Sequence, residues 1–148
     1  MFRKLVATSP YWATVPIRLA LGAVMIGHGA QKVLGSFGGP GFEKWVSGTT
    51  PFGFMKPTWL WLGAAALSEL VGGILIVLGL LTRFAAFIVA CVMLTAVVGV
   101  HWGFFFSPKG MEYALTLLGM ALALWISGGG MASVDLAMSN GSSGRRRR

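Results

Sequence analysis

The chain has 148 residues, of which 55% are hydrophobic and only 11% charged, with a mean hydropathy of +0.75. Soluble domains carry about 25% charged residues, so this composition excludes an ordinary soluble protein. The formal net charge is +8, yet four of the twelve basic residues are the terminal run Arg145–Arg148 and most others flank apolar stretches. Charge placed in this way reports membrane topology, not a nucleic-acid footprint.

Residues 1–14 carry Arg3 and Lys4. They make a poor signal peptide, because Pro16 and Arg18 interrupt the hydrophobic run and no small-residue cleavage site follows. They read as an N-terminal cytoplasmic segment. The first apolar stretch, about Val15–Leu34, is expected to be a retained helix that ends in the breaker-rich Gly35-Ser36-Phe37-Gly38-Gly39-Pro40-Gly41. The longest connection follows. Its Phe42, Trp45, Phe52 and Phe54 suggest a loop resting on the outer membrane interface.

The second stretch, Thr58–Leu80, is joined to the third, Arg83–His101, by so few residues that the two must form a tight antiparallel hairpin. Trp102 to Pro108 make an aromatic connection to a short fourth stretch, Met111–Ile126, tilted little or extended toward Ser127. Gly128-Gly129-Gly130 then leads to residues 137–148, read as a flexible basic tail that either binds anionic headgroups or is appended to the native chain. The expected fold is an all-α integral membrane protein, a four-transmembrane-helix bundle over residues 15–136.

Arg3, Lys4, Arg83 and Arg145–Arg148 share one side, with Arg18 just inside it, whereas Lys32, Lys44, Lys56 and Lys109 share the other. The positive-inside rule then places both termini in the cytoplasm. Aromatic anchors agree with two interfaces: Tyr11, Trp12 and Trp125 on the inner side, Trp45, Trp59, Trp102 and Tyr113 on the outer.

Glu69 stands out. It falls near the middle of a stretch long enough to cross about 30 Å of hydrocarbon. An ionisable group there costs roughly 2.5–3.5 kcal/mol on insertion scales, so it ordinarily faces a bundle interior and marks function. Ala65, Ala66, Gly72 and Gly73 lie at spacings of three and four from it and give that face the small side chains that close packing requires. Glu69 should point inward.

Depth along the helices groups the other candidates. His28, with Gln31 and Lys32 after it, lies in the outer half of the first helix. His101 closes the third helix and Glu112 opens the fourth, with Thr116, Gly119 and Ala123 extending its small face. Together with the deeper Glu69 these could form a proton path, since histidine donates and accepts near neutral pH. A quinone headgroup needs such donors and acceptors. Glu69 could equally be bonded to Ser68, a backbone carbonyl or a basic partner and lock helices together. Lys32 and Glu112 are close enough to interfaces to snorkel, and Arg18 could pair with headgroups or inside the bundle.

Two histidines on different helices also allow bis-histidine haem ligation, but their depths differ by several Å, so haem is disfavoured. Cys91 is the single cysteine, which excludes an intrachain disulfide relay, and packing is its expected role. No cysteine–histidine cluster, phosphate loop or nucleophile motif is visible, and no metal site is expected.

Arg18-Leu19-Ala20-Leu21-Gly22 with His28-Gly29-Ala30-Gln31-Lys32 resembles the first helix of the DoxX family. Ser68-Glu69-Leu70-Val71-Gly72-Gly73 and Leu78-Gly79-Leu80-Leu81-Thr82-Arg83 resemble its second helix and turn. Glu112, followed by Gly128-Gly129-Gly130-Met131-Ala132-Ser133-Val134-Asp135, is similar to its C-terminal pattern. The resemblance covers roughly residues 15–136. It implies four membrane helices, a prokaryotic cytoplasmic (inner) membrane, and kinship with small subunits of thiosulfate:quinone oxidoreductase. No motif for thiosulfate oxidation is present, so any catalytic role would require partner subunits beside the membrane lipids.

The leading expectation is therefore a membrane subunit of a quinone-linked redox complex. Glu69 would handle protons, His28 with Lys32 would bind the headgroup, and His101 and Glu112 would line the outer end. The alternative is a non-catalytic scaffold subunit of a larger membrane complex. Transport of a small solute or lipid is a weaker third, because four short unbroken helices leave little room for alternating access.

Overall fold

The computed structural model describes residues 8–101, 103 and 110–144. The expectations for Arg3, Lys4, Trp102, Lys109, the 104–108 connection and Arg145–Arg148 lie outside the described residues. Within the described residues six α-helices follow in order: α1 (Thr14–Leu34), α2 (Gly41–Val46), α3 (Thr58–Leu78), α4 (Thr82–Gly99), α5 (Glu112–Ser127) and α6 (Val134–Gly144), with one 3-10 turn at Ser36–Gly38. Apart from an isolated bridge between Gly103 and Gly110, the described residues form no β-structure.

The helix ends obey local chemistry. Gly35 adopts φ 71°, and its N–H donates to Ala30 O, closing α1. At the end of α3, Gly79 (φ 66°) donates to Ile76 O while Leu80 N donates to Leu75 O, a Schellman pair. This stops α3 two residues before the Leu80 that hydropathy alone suggests. Leu81 then takes φ 48°, a conformation costing a side chain roughly 1–2 kcal/mol. The buried Asp135 carboxylate offsets that cost, accepting from Leu81 N at 2.8 Å and Thr82 N at 2.9 Å. It caps α4 from outside the helix.

The four long helices close a ring: α1 packs on α3, α3 on α4, α4 on α5, and α5 back on α1. Leu21, Met25, Ile76, Val89 and Leu124 fill the centre, with Ala86, Ala90 and Ala121 buried among them. The α1–α3 crossing brings the backbones nearly into contact. A Cβ on Gly73 would sit 2.8 Å from Ile26 N, and one on Gly22 would sit 2.9 Å from Gly73 O. One on Gly29 would meet the Leu70 backbone. Only glycine admits that approach.

The outer surface reverses the soluble pattern. Leu67, Val71, Ile74 and Leu78 of α3 and Phe84, Phe87, Leu94 and Val98 of α4 are all exposed. An outer surface of large apolar side chains on both helices describes a bundle whose solvent is lipid. Among the described residues two helices, α3 and α4, are long and apolar enough to cross a membrane, while α5 is apolar but shorter.

The C-terminal segment departs from expectation. Residues 137–144, read from composition as the start of a flexible tail, continue α6. Ser133 explains the start of that helix, since its Oγ accepts from Leu136 N at 3.1 Å in the manner of an N-cap. Asp135 N also donates to Gly79 O at 2.9 Å, tying α6 to the α3–α4 turn.

Candidate functional site

Glu69 does point inward. It lies midway along α3 and is 3% exposed. Its partner is Lys32, in the last turn of α1, whose Nζ stands 2.6 Å from Oε1 and 2.5 Å from Oε2. The antiparallel α1–α3 crossing through Gly22, Gly29 and Gly73 brings them together, because close backbones leave a lysine stem enough length to reach the carboxylate. Lys32 Nζ also lies 4.7 Å from the centre of the Trp45 ring. Trp45 belongs to α2 and is held by its Nε1 donating to Leu62 O at 2.9 Å.

This pair borders a cavity of about 480 Å³ between α3, α4 and the 49–55 loop. Trp61, Ala64 and Ser68 line it from α3; Ile88, Cys91 and Thr95 line it from α4. The loop adds Thr50, Pro51 and Met55, and it lies against α4 so closely that a Cβ on Gly99 would be 2.6 Å from Pro51 Cβ. His101 completes the wall. Its Nδ1 is 3.2 Å from Ala96 O, an acceptor, so Nδ1 carries a proton and donates to it. An apolar chamber with one paired charge and a few polar groups suits a small lipophilic ligand.

Of the five residues singled out in the sequence, Lys32, Glu69 and His101 meet at this cavity. His28 does not line it. It lies in a separate open cleft of about 200 Å³ with Val24, Gly27, Gln31 and Phe37, its Nε2 3.1 Å from the Tyr113 hydroxyl. Glu112 lines neither space; its carboxylate packs against Gly110, and its backbone oxygen accepts from Thr116 Oγ1. The two histidines thus occupy different parts of the bundle. Cys91, expected to serve packing, is exposed and lines the Lys32–Glu69 cavity.

Arg18 resolves its two alternatives in favour of the bundle. It is buried, and all five of its N–H groups are satisfied by backbone carbonyls. Nε donates to Ile76 O at 3.0 Å, Nη1 to Gly129 O at 2.9 Å and Met131 O at 3.0 Å, and Nη2 to Val77 O at 2.8 Å and Ala132 O at 3.2 Å. Two acceptors belong to the last turn of α3, where carbonyls lack helical partners. The other three come from the glycine-rich segment that enters α6. Thr14 Oγ1 also donates to Gly129 O, at 3.0 Å. The signal available in the sequence was the joint presence of an arginine inside an apolar helix and a triple glycine with exposed carbonyls.

The DoxX family model fits residues 13–102, which span α1 to α4 and contain Arg18, Lys32, Glu69 and His101. No curated protein and no solved structure matches the chain.

Proposed function

This chain is a membrane protein that belongs to the DoxX family, and from that membership and the cavity we propose that it is a subunit of a quinone-linked redox complex. The observation that carries the reading is the buried Lys32–Glu69 pair on the wall of a largely apolar cavity. Lys32 would donate to one ring carbonyl of a quinone, His101 Nε2 would serve the hydroxyl of a quinol, and Glu69 would pass protons to and from the headgroup. Conversion of quinone to quinol takes two electrons and two protons; a partner subunit would supply the electrons, since this chain has no redox motif of its own. His28 and Glu112 have no part in this version of the site.

In the same proposal α1, α3, α4 and α5 are four spans in a prokaryotic cytoplasmic membrane with both termini inside. Arg83 at the α3–α4 turn, with Lys44 and Lys56 on the opposite side, supports that orientation. The cavity then lies in the outer half of the bilayer.

The test is isoprenoid quinone bound per chain after mild purification, in wild type and in Glu69→Gln protein of unchanged helicity. Near-stoichiometric quinone that is lost in the variant is the expected result. Its absence from both would refute the reading. A scaffold role draws on a different observation: Thr116, Gly119 and Ala123 form an exposed small-residue face on α5, with open space beside Gly119. In that case α5 surface substitutions would abolish assembly and leave cavity variants assembled.

A further inference from the structure

We infer that the Lys32–Glu69 cavity opens sideways into the bilayer between α3 and α4, and that its occupant is an uncharged, ring-headed lipophile entering by that route. This rests on reading the cavity as a ligand site, and adds the ligand's charge, its size and its way in.

The opening follows from how the hairpin splays. Near the turn the two helices touch, for a Cβ on Gly72 would lie 3.0 Å from Val89 Cγ2. Immediately beyond that contact the cavity lies between them, lined by Ala65 and Ser68 on α3 and by Cys91, Val92 and Thr95 on α4. Ala64 on α3 and Cys91 on α4 line that cavity and are at the same time exposed on the outer surface. Small side chains at both edges leave the gap unfilled. On α3 and α4 the exposed large side chains one turn from Ala64 and Cys91, namely Trp61, Leu67, Phe87 and Leu94, are apolar, so this face of the hairpin looks into hydrocarbon and not into water.

Charge selects the ligand. The charged side chains lining the cavity are Lys32 and Glu69, and they neutralise one another through both carboxylate oxygens. An anionic or cationic ligand would have to compete for one partner and strand the other in an apolar chamber. A neutral ring bearing carbonyl or hydroxyl groups can bond to the pair and leave it intact.

Size sets the remainder. An apolar cavity of roughly 150 Å³ holds one benzene ring. The 480 Å³ here therefore takes a fused or substituted ring and the first few carbons of a chain. A long tail must run out through the α3–α4 gap into lipid.

Cys91, the single cysteine, is a native reporter on the sill of this opening. The experiment uses the full chain in phospholipid vesicles and compares labelling by a bilayer-soluble maleimide with labelling by a sulfonated, membrane-impermeant one. Only the first should modify Cys91, and Ala64→Phe should slow that reaction without lowering the melting temperature. Equal labelling by the charged reagent, or labelling by neither, would overturn the lateral opening.

Occupancy is read by adding a decyl benzoquinone whose ring positions are all substituted, so that the thiol has no open position to attack. At ten times its dissociation constant it leaves about one site in eleven empty, so labelling should slow by about tenfold. A decyl chain carrying a carboxylate head should give no protection, and equal protection by it would refute the charge argument. Protection by a decyl naphthalene but not by the quinone would leave the opening standing and remove the quinone reading above. Protection by none of these would overturn the proposed occupant.

Discussion

Replacing Lys32 with methionine keeps an unbranched four-atom apolar stem, with sulfur in place of Cδ, and removes the ammonium, so it isolates the ion pair. Glu69 would be left 3% exposed, with both oxygens deprived of the donor that stands 2.5–2.6 Å away. Removing one member of a buried pair typically costs about 3–5 kcal/mol, because the remaining charge is uncompensated. For a chain of this size about 2–4 °C of melting temperature corresponds to 1 kcal/mol, which puts the fall at roughly 6–20 °C. The double variant Lys32→Met/Glu69→Gln removes the stranded charge and should recover most of the loss. The assay is thermal unfolding of the detergent-solubilised protein, followed by far-UV circular dichroism for both singles and the double. A coupling energy above about 1 kcal/mol is expected for groups in direct contact. Single losses below that value that simply add in the double would refute the pair as a coupled, buried unit.

Three further outcomes are expected. Arg18→Lys, though it keeps the charge, cannot reproduce a five-bond fork and should free α6, visible as proteolysis between residues 129 and 134 and a stability loss of about 2 kcal/mol or more; wild-type resistance in this variant would contradict the clamp. Gly29→Ala should destabilise by about 1–3 kcal/mol because its Cβ meets the Leu70 backbone, whereas Gly119→Ala, with nothing within 4 Å, should be neutral or stabilising; urea unfolding that ranks them the other way would refute the α1–α3 approach. His28→Ala should leave quinone occupancy of the Lys32–Glu69 cavity unchanged while Glu69→Gln abolishes it, as expected for a side chain in a separate cleft. Equal loss in both variants would show that the two spaces act as one.

The helices themselves were legible because hydropathy and the 3.6-residue period are local properties. Each long helix lies within two residues of its expected limits, and the differences trace to identifiable atoms: Gly79 ends α3 early, and the Asp135 carboxylate starts α4 at Thr82. The inward direction of Glu69 was also local, written in the small residues three and four positions away. Family membership followed from contiguous motifs in α1 and the α3–α4 turn.

Partnership was not local. His28 and Lys32 are four residues apart on α1, only about 40° around the axis, yet one turns to Tyr113 and the other to Glu69. Small differences of rotation, multiplied by side-chain length, decide which neighbouring helix a residue meets. Arg18 shows the same limit differently, since its five acceptors are backbone carbonyls that carry no side-chain signature. The chain's own pattern of hydropathy and small residues determined that it is a helical membrane protein with a carboxylate turned inward. Only the packed bundle decided that Lys32 neutralises it, that His101 joins the same cavity and that His28 and Glu112 stand apart, because helix rotation and splay are set by contacts between segments distant in sequence.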